Sequence, residues 1–500
     1  MSRLRAGLAV AAVVLAAAGC GDPQLWARYR AERDFWRARR LVERIELNPR
    51  VARAAEFARA AAACRAVTTA FPAAAWATPE RVGTPIAADV AAVSGQAAIA
   101  RARLDELAGR TDAAIAGYAR AEADYAALPP VALEAVLARA AALERAGRSA
   151  EATGAYAGII GRFPLVDPVS GRSVLAAMDA PLRVAQDQTR AGQTAAADAT
   201  LRAAEARYAA ELERQDGRPP GFDLWVRMAQ VRRMTGRTEA ALEALRHAMG
   251  QPGASRPAMV VRLAETCVEG GLPDSALVYA AWAERGFEPV RPRALVLAAR
   301  AWELKGPPDS AIVAWGRYLD AYPTAVDTSS LARFQRGRLY EDLGRWPLAR
   351  SEYHALIARD PTHALAFEAI RRIPAWHAAH GETAEARIEG RGALEDLDRL
   401  IGSHRDARVL QQARAARAQV LLAMGDWAAA STALGELWDH YGDTPVGADA
   451  AFQAAELNER QLHDVTKAVA LYRELAEHAA LDADRRRAQD QLARLGRGRG

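Results

Sequence analysis

The sequence has one concentration of potential metal ligands, the histidines His354, His363, His377 and His380. His377 and His380 are three residues apart, so on a helix they would lie about one turn apart on the same side. Zinc sites take three or four such ligands, and a carboxylate such as Glu382 or Glu385 would have to join the two histidines. Because the sequence does not fix the position of such a carboxylate relative to the two histidines, it predicts no metal site.

Other patterns of catalytic residues are missing. The sequence contains no Gly-x-Ser-x-Gly turn, His-Glu-x-x-His helix, phosphate-binding glycine loop or Cys-x-x-Cys pair. Gly390-Arg391-Gly392 lacks the third glycine and the preceding strand of a nucleotide-binding turn. Acid pairs are abundant, as on any solvated helical surface. The sequence therefore predicts a protein that is not an enzyme and binds no small-molecule cofactor.

The N-terminus has the pattern of a secretory signal peptide over residues 1–19. Arg3 and Arg5 precede an uncharged apolar run, which small residues close. The run is shorter than the roughly 20 residues that a membrane-spanning helix needs. We therefore expect the chain to be exported, with residues 20–23 left as a short tether.

The end of this run resembles the lipobox of bacterial lipoproteins, in which a cysteine is lipidated and the chain is cut just before it. Here Leu15-Ala16-Ala17-Ala18-Gly19 precedes Cys20. The resemblance implies that Cys20 is lipidated and anchors the chain in a membrane. Ala17 stands where the family favours leucine, and the alternative is ordinary secretion with cleavage after Ala18. Because Gly21 is not the aspartate that retains lipoproteins at the inner membrane, the resemblance implies an outer-membrane protein facing the periplasm.

Composition and charge favour helices and argue against nucleic acid as a partner. Without Arg3 and Arg5 the chain has 64 basic and 61 acidic residues among its 500, too small an excess for a nucleic-acid-binding protein. Apolar residues make up 51% and aromatic residues 6% of the chain. Alanine is the most frequent residue, and small, alanine-rich helix faces suit closely packed helices. Strand-forming residues are too thinly spread for sheets.

Internal repeats decide the predicted fold. A glycine followed five residues later by an alanine recurs, and a large side chain often follows nine residues after the glycine. The glycine–alanine pairs are Gly109/Ala114, Gly147/Ala152, Gly192/Ala197, Gly236/Ala241, Gly271/Ala276, Gly306/Ala311, Gly344/Ala349, Gly381/Ala386 and Gly425/Ala430, and His463/Ala468 repeats the pattern without the glycine. We expect the glycine to end one helix in a left-handed conformation and the alanine to allow close helix crossing. The repeats predict an all-α chain of about ten helical hairpins.

This pattern resembles the tetratricopeptide repeat. The copy from Leu331 to Pro361 is the closest, with Gly337, Tyr340 and Gly344 among the residues at the family's places. The glycines lie 35 to 45 residues apart, whereas the family repeats every 34, so several helices or connections must be longer. The resemblance implies a right-handed α-α superhelical solenoid over residues 49–482.

The resemblance also implies a binding site. In tetratricopeptide proteins the first helix of each repeat lines a concave groove that takes peptides or partner helices. The corresponding residues here are Gln230, Arg233, Glu265, Glu269, Arg300, Glu303, Arg338, Glu341 and Asp342. The alternative for each residue is ordinary solvated surface charge.

Two segments lie outside the repeats. The aromatic-rich segment 24–48 is predicted to form a helix, whose apolar stripe packs on the first repeat or contacts the membrane. Residues 483–500 are rich in arginine and predicted to form a basic tail that frays or contacts anionic lipid.

Together these features predict a non-catalytic scaffold, an envelope lipoprotein that binds other envelope proteins or peptides in its groove. The repeat endings Arg162-Phe163-Pro164 and Ala321-Tyr322-Pro323 resemble the variant repeats of outer-membrane lipoproteins that assist barrel assembly or cell-wall synthesis. The alternatives are a glycan-capturing lipoprotein like the starch-utilisation binding proteins and the helical superstructure of an envelope enzyme.

Overall fold

The computed structural model describes residues 22–497 apart from 50, 216–219, 253 and 287. The expected signal peptide and Cys20 lie outside the described residues. The chain forms two compact units that divide between Met259 and Val260. Within the described part, the backbone is helical, and the only strand-like pairing is the single bridge between Val166 and Ser173. The predicted all-α class is confirmed.

The first unit consists of twelve helices in its described residues. They are α1 (Pro23–Leu47), α2 (Ala54–Ala70), α3 (Ala73–Trp76), α4 (Pro79–Val82), α5 (Pro85–Leu107), α6 (Thr111–Asp124), α7 (Pro129–Arg145), α8 (Ser149–Ala157), α9 (Leu175–Arg190), α10 (Thr194–Gln215), α11 (Gly221–Met234) and α12 (Thr238–Met249). From α5 onward they pair as helical hairpins, α5 with α6 through α11 with α12.

The second unit continues the same plan. Its helices are α13 (Arg256–Glu269), within which the division falls, α14 (Pro273–Glu284), α15 (Arg291–Lys305), α16 (Pro308–Ala321), α17 (Val326–Asp342), α18 (Trp346–Arg359), α19 (Ala364–Ala379), α20 (Thr383–Ser403), α21 (Ala407–Ala423), α22 (Trp427–Tyr441), α23 (Pro445–Arg460), α24 (Val465–His478) and α25 (Asp482–Arg497). Hairpins run from α15/α16 to α23/α24, and α13 and α14 are joined by a turn at Gly271, which has φ of 69°. We call the odd-numbered members from α5 to α23 first helices and their partners second helices.

Each hairpin turns at the predicted glycine, which we call the closing glycine. All nine closing glycines have φ between 67° and 111°, the left-handed region that costs a residue with a Cβ atom extra free energy. In the α17/α18 turn, the N–H of Arg345 donates to the carbonyl of Tyr340 at 2.8 Å, a helix-ending bond of the Schellman type. His463 takes the same role in the tenth hairpin with φ of 54°, a positive value that no other non-glycine residue in the described ranges adopts. The predicted hairpin boundaries are confirmed.

The His463→Gly variant should be more stable than the natural protein. Glycine relieves the left-handed strain but loses more backbone entropy on folding, so we expect a net gain of about 0.5–1 kcal/mol in the free energy of unfolding. Urea denaturation followed by circular dichroism measures the change. Gly425→Ala, at the preceding closing position, is the matched control and should lose about 1 kcal/mol. A destabilised His463→Gly protein would contradict this account of the turn.

The repeated alanines lie where the two helices of a hairpin cross. All ten are between 0 and 3% exposed, so the predicted close packing is confirmed. In α17/α18 the approach is closer still, because a Cβ atom at Gly337 would lie 2.5 Å from the Tyr353 ring. Gly337 therefore tolerates no side chain unless Tyr353 moves.

Both ends of the repeats carry additional helices. Asp22 caps α1 by accepting from the N–H of Gln24 at 2.8 Å, and α1 covers nearly the range 24–48 in which a helix was predicted. At the other end, where the sequence predicted a basic tail, the structure has α25. Ala488 on this helix is fully buried, with Leu492 and Leu495 packed beside it. Those residues recur at helical spacing, so α25 has an apolar face despite its arginines.

Candidate functional site

A surface on the first helices brings together side chains from successive hairpins. Gln186 on α9 and Gln230 on α11 each lie six residues before a closing glycine, and both line one cavity of about 440 Å³ in the first unit. Tyr156, Arg183 and Leu137 also line this cavity. Equivalent positions of neighbouring first helices therefore face a common space.

The neighbouring first helices also contact one another through polar side chains. The amide of Gln96 on α5 donates to Glu134 on α7 at 2.5 Å. In the second unit, Arg293 on α15 donates to Glu265 on α13 at 2.7 Å. The amide of Gln419 on α21 donates to Gln453 on α23 at 3.0 Å. Within each unit, we call this side of the hairpins the first-helix surface. It carries exposed and half-buried polar groups, which suit a partner's backbone and charged side chains better than an apolar segment.

The cavity in the first unit has a defined chemistry. Glutamine amides both donate and accept hydrogen bonds, so Gln186 and Gln230 can pair with the N–H and C=O groups of an extended peptide. The Arg183 guanidinium lies 5.2 Å from the centroid of the Tyr156 ring and pairs with Glu144. A planar, half-buried Tyr156 at the wall offers an apolar surface beside these polar groups. The cavity can therefore hold one side chain of a partner and bond its backbone.

The structure separates the predicted groove residues into two groups. Arg300, Arg338, Glu269 and Asp342 are exposed on first helices, and Gln230 lines the cavity. In the described part of the chain, Arg300 makes no hydrogen bond or ion pair, whereas Arg338 donates to Gln335 at 3.2 Å. Arg233 and Glu269 already interact with neighbouring groups.

Glu303 and Glu341, which the sequence also placed in the groove, are bonded within the packing. The Tyr353 hydroxyl donates to Glu341 at 2.9 Å, and Arg372 of the next first helix donates to the same oxygen at 2.7 Å. The Trp315 indole N–H donates to Glu303 at 2.5 Å. These bonds take up part of the accepting capacity of both carboxylates, so their geometry favours a role in holding hairpins together.

The same arrangement recurs in the first unit. Tyr118 donates to Glu106 at 2.9 Å, and Arg145 from the next first helix also pairs with Glu106. We call each set of a glutamate, the aromatic residue twelve positions later and, where present, an arginine of the next hairpin a clasp. The twelve-residue spacing is visible in the sequence and could have identified Glu303 and Glu341 as packing residues. Gln186 was missed too, although its register matches Gln230.

Burial and charge act together on the side chains of the Glu341 clasp. Burial raises the pKa of the Tyr353 hydroxyl, and the neighbouring Glu341 carboxylate raises it further. Burial alone would lower the pKa of Arg372, but its bond to Glu341 and that carboxylate's charge raise it instead. Tyr353 therefore stays a neutral donor and Arg372 a cation throughout the ordinary pH range.

The histidines do not form a metal-binding arrangement. His377 is 7% exposed, and its Nδ1 lies 2.6 Å from Glu382. The His380 ring instead stacks on Trp376 with centroids 3.9 Å apart, and its Nδ1 lies 2.8 Å from the Trp376 carbonyl. Trp376 in turn stacks on Trp346 at 4.1 Å. No group of three or more metal-ligand side chains converges in the described ranges.

Comparison with known proteins supports the reading of the best-formed hairpin. Residues 331–363 match the family model of the tetratricopeptide repeat. The chain contains a tetratricopeptide repeat. The match covers the copy from Leu331 to Pro361, which has the most complete repeat pattern. Tetratricopeptide repeats typically mediate binding between proteins and are typically non-catalytic.

Solved structures of repeat proteins are similar to the chain at low identity. A tetratricopeptide repeat protein from Parabacteroides merdae is 16% identical, with a TM-score of 0.32, and the match covers 55% of this chain and 98% of that one. The C-terminal part of a TPR repeat-containing protein from Cytophaga hutchinsonii is 15% identical, with a TM-score of 0.33, over 54% of this chain and 98% of that one. No match was found among curated proteins.

Proposed function

We propose that the protein is a non-catalytic scaffold that holds an extended segment of a partner protein on its first-helix surface. The observation that carries this proposal is the cavity shared by Gln186 and Gln230. Two residues at the same register of neighbouring hairpins face one space there, as a partner crossing several hairpins requires. Their amides can bond to a partner's backbone whatever its sequence.

For the second unit, the proposed partner segment carries acidic side chains, which complement two exposed arginines. Arg300 and Arg338 are exposed and occupy the register of Gln186 and Gln230, six residues before a closing glycine. Neither forms an ion pair among the described residues. Arginine makes planar, two-pronged hydrogen bonds to carboxylates and is less strongly hydrated than lysine. A segment carrying aspartate or glutamate would therefore bind here at a low desolvation cost.

Replacing both Arg300 and Arg338 by alanine should weaken partner capture by at least about tenfold, equivalent to 1.4 kcal/mol. Each substitution removes an exposed cation and little packing, so the midpoint of urea unfolding should stay close to that of the natural protein. Partners are first identified by crosslinking in intact cells and pull-down, and affinity for one purified partner is then measured by calorimetry.

The matched control is Arg359→Ala/Arg473→Ala, which removes two exposed arginines from second helices. It should leave the affinity unchanged. Equal losses in both double variants would indicate a general charge effect and remove the first-helix surface from the site.

We also propose that Cys20 carries a lipid that anchors the protein in a bacterial envelope, in the outer membrane facing the periplasm. The support is the lipobox-like run from Leu15 to Cys20. No helix of the described residues is long and apolar enough to span a membrane. The proposed partners are accordingly other envelope proteins.

Cys20→Ser should move the protein from the membrane fraction to the soluble fraction when membranes are washed at high ionic strength, because salt releases a chain held chiefly by charge and not one held by lipid. The lipid chains supply about 0.8 kcal/mol for each buried methylene, so their loss should abolish stable attachment. Fractionation followed by mass spectrometry of the N-terminus checks both location and modification. Cys64→Ser is the control and should leave location unchanged. A Cys20→Ser protein that stays attached and unprocessed would contradict the anchor.

A further inference from the structure

The outward face of α1 is an unpartnered strip of aromatic and basic residues. Trp26 is 52% exposed and Trp36 is 48% exposed, and Leu25 also reaches solvent. At 3.6 residues per turn, these residues and Tyr29 fall within an arc of roughly 100°. The opposite face is buried against α2 and α5 through residues such as Ala38, Val42 and Ile45. The packing on the hairpins therefore leaves the strip free.

Arginines share the same outward face. They are Arg30, Arg33, Arg37, Arg40 and Arg44. Arg33 and Arg37 lie near Asp34, but Arg30, Arg40 and Arg44 form no ion pair within the described ranges. The Arg40 guanidinium lies 5.0 Å from the centroid of the Trp36 ring, and the Trp26 and Tyr29 rings stack at 5.4 Å. Glu43 lies in the same arc and pairs with Arg39, so the strip combines large aromatic surface with three arginines that have no carboxylate partner in the described ranges.

We propose that this strip docks α1 flat on an anionic lipid bilayer, independently of any lipid on Cys20. Tryptophan and tyrosine are favoured at the headgroup level of a membrane, and each arginine near an anionic surface adds attraction. Helices with this division of residues lie in the plane of the interface with their aromatic side chains inserted.

The shape of the strip favours a bilayer over a peptide or a groove-forming protein. It runs along one outward helix face, with Trp26 and Trp36 about 15 Å apart along the axis. The strip is therefore long and convex, and a flat, extended, negatively charged surface complements it. If Cys20 is also lipidated, as proposed above, the three-residue step from Cys20 to Pro23 would hold α1 within about 10 Å of the bilayer.

Vesicle flotation tests the strip without the anchor. The protein used is the chain beginning at Asp22, which retains every element that the structure describes. It should float with phosphatidylcholine vesicles containing about one quarter phosphatidylglycerol and bind pure phosphatidylcholine far more weakly. Raising the ionic strength should weaken the binding, because salt screens the arginines.

Trp26→Ser/Trp36→Ser should lower the partition coefficient by at least about tenfold on the anionic vesicles, since it removes the inserted groups. Arg40→Gln/Arg44→Gln should lower it by about fivefold for each charge. The matched control is Trp282→Ser on α14, which removes a tryptophan that is 51% exposed and should change nothing. All variants should keep the natural urea midpoint, because the substituted side chains lie outside the core.

Two outcomes would overturn the inference. One is a natural chain that fails to float with anionic vesicles, which would leave the strip to a protein partner. The other is a tryptophan double variant that floats as well as the natural chain. The Cys20→Ser experiment tests the lipid anchor separately. Vesicle binding by a protein that has no lipid on Cys20 in cells would reject only the anchor, and a lipidated protein whose α1 binds no vesicles would reject only the docking strip.

Discussion

Replacing Tyr353 by alanine is expected to lower the free energy of unfolding of the second unit by about 3–5 kcal/mol. The Tyr353 ring is fully buried, comes within 2.5 Å of the place that a Cβ atom on Gly337 would take, and packs on Phe334 with centroids 5.9 Å apart. Alanine would leave a cavity between α17 and α18 and remove the hydroxyl that donates to Glu341. Urea denaturation followed by circular dichroism measures the loss.

Tyr353→Phe is the matched control, because it keeps the ring and removes only the hydroxyl. We expect it to cost about 1–2 kcal/mol. Since each hairpin contacts chiefly its neighbours, hydrogen exchange of Tyr353→Ala should accelerate most in α17, α18 and α19 and least in α24. An alanine variant within about 1 kcal/mol of the natural protein would show that this packing does not hold the hairpins together.

Glu341→Ala should cost about 2–3 kcal/mol, because two donors lose their acceptor at once. The Tyr353 hydroxyl and the half-buried Arg372 guanidinium both bond to this carboxylate. Water that reaches the half-buried Arg372 guanidinium would replace part of its lost bond to Glu341, and this replacement sets the lower end of the range. Urea denaturation gives the stability, and partner affinity is measured on the folded variant.

The neighbouring carboxylate supplies the control. Asp342 is exposed, and Asp342→Ala should change stability by no more than about 0.5 kcal/mol. If Glu341→Ala instead kept its stability and lost partner capture, Glu341 would belong to the binding surface as the sequence predicted, and the clasp would be incidental.

The positions of the hairpin turns could be predicted from the sequence because each turn requires a positive φ and one residue type, glycine, meets that requirement. Only glycine adopts positive φ at little cost, so the spacing from Gly109 to Gly425 marked the turns directly. The alanines followed for the same reason, since close helix crossing leaves no room for larger side chains. Even the exception, His463, was located by its register.

The candidate site could be predicted only in part from the sequence, because its residues are distinguished by the groups that they contact in the fold. Gln186 and Gln230 have the same register, yet only the cavity shows that both face one space. Glu341 and Asp342 are adjacent acids on one helix, and only Glu341 has the twelve-residue spacing to Tyr353, but nothing in the sequence shows that Arg372 of the next hairpin bonds to it too. The apolar face of α25 was likewise obscured by its arginines, since Ala488 is buried only through contact with the preceding helices.

Site-specific photocrosslinking in intact cells tests the proposed binding surface most directly. A photoreactive residue is placed at Arg300 or Arg338 on the first-helix surface, and at Val313, which is 64% exposed on second helix α16, as the control. We expect a discrete protein adduct from positions 300 and 338 and none from 313. An adduct from 313 alone, or adducts of equal yield from all three positions, would contradict it.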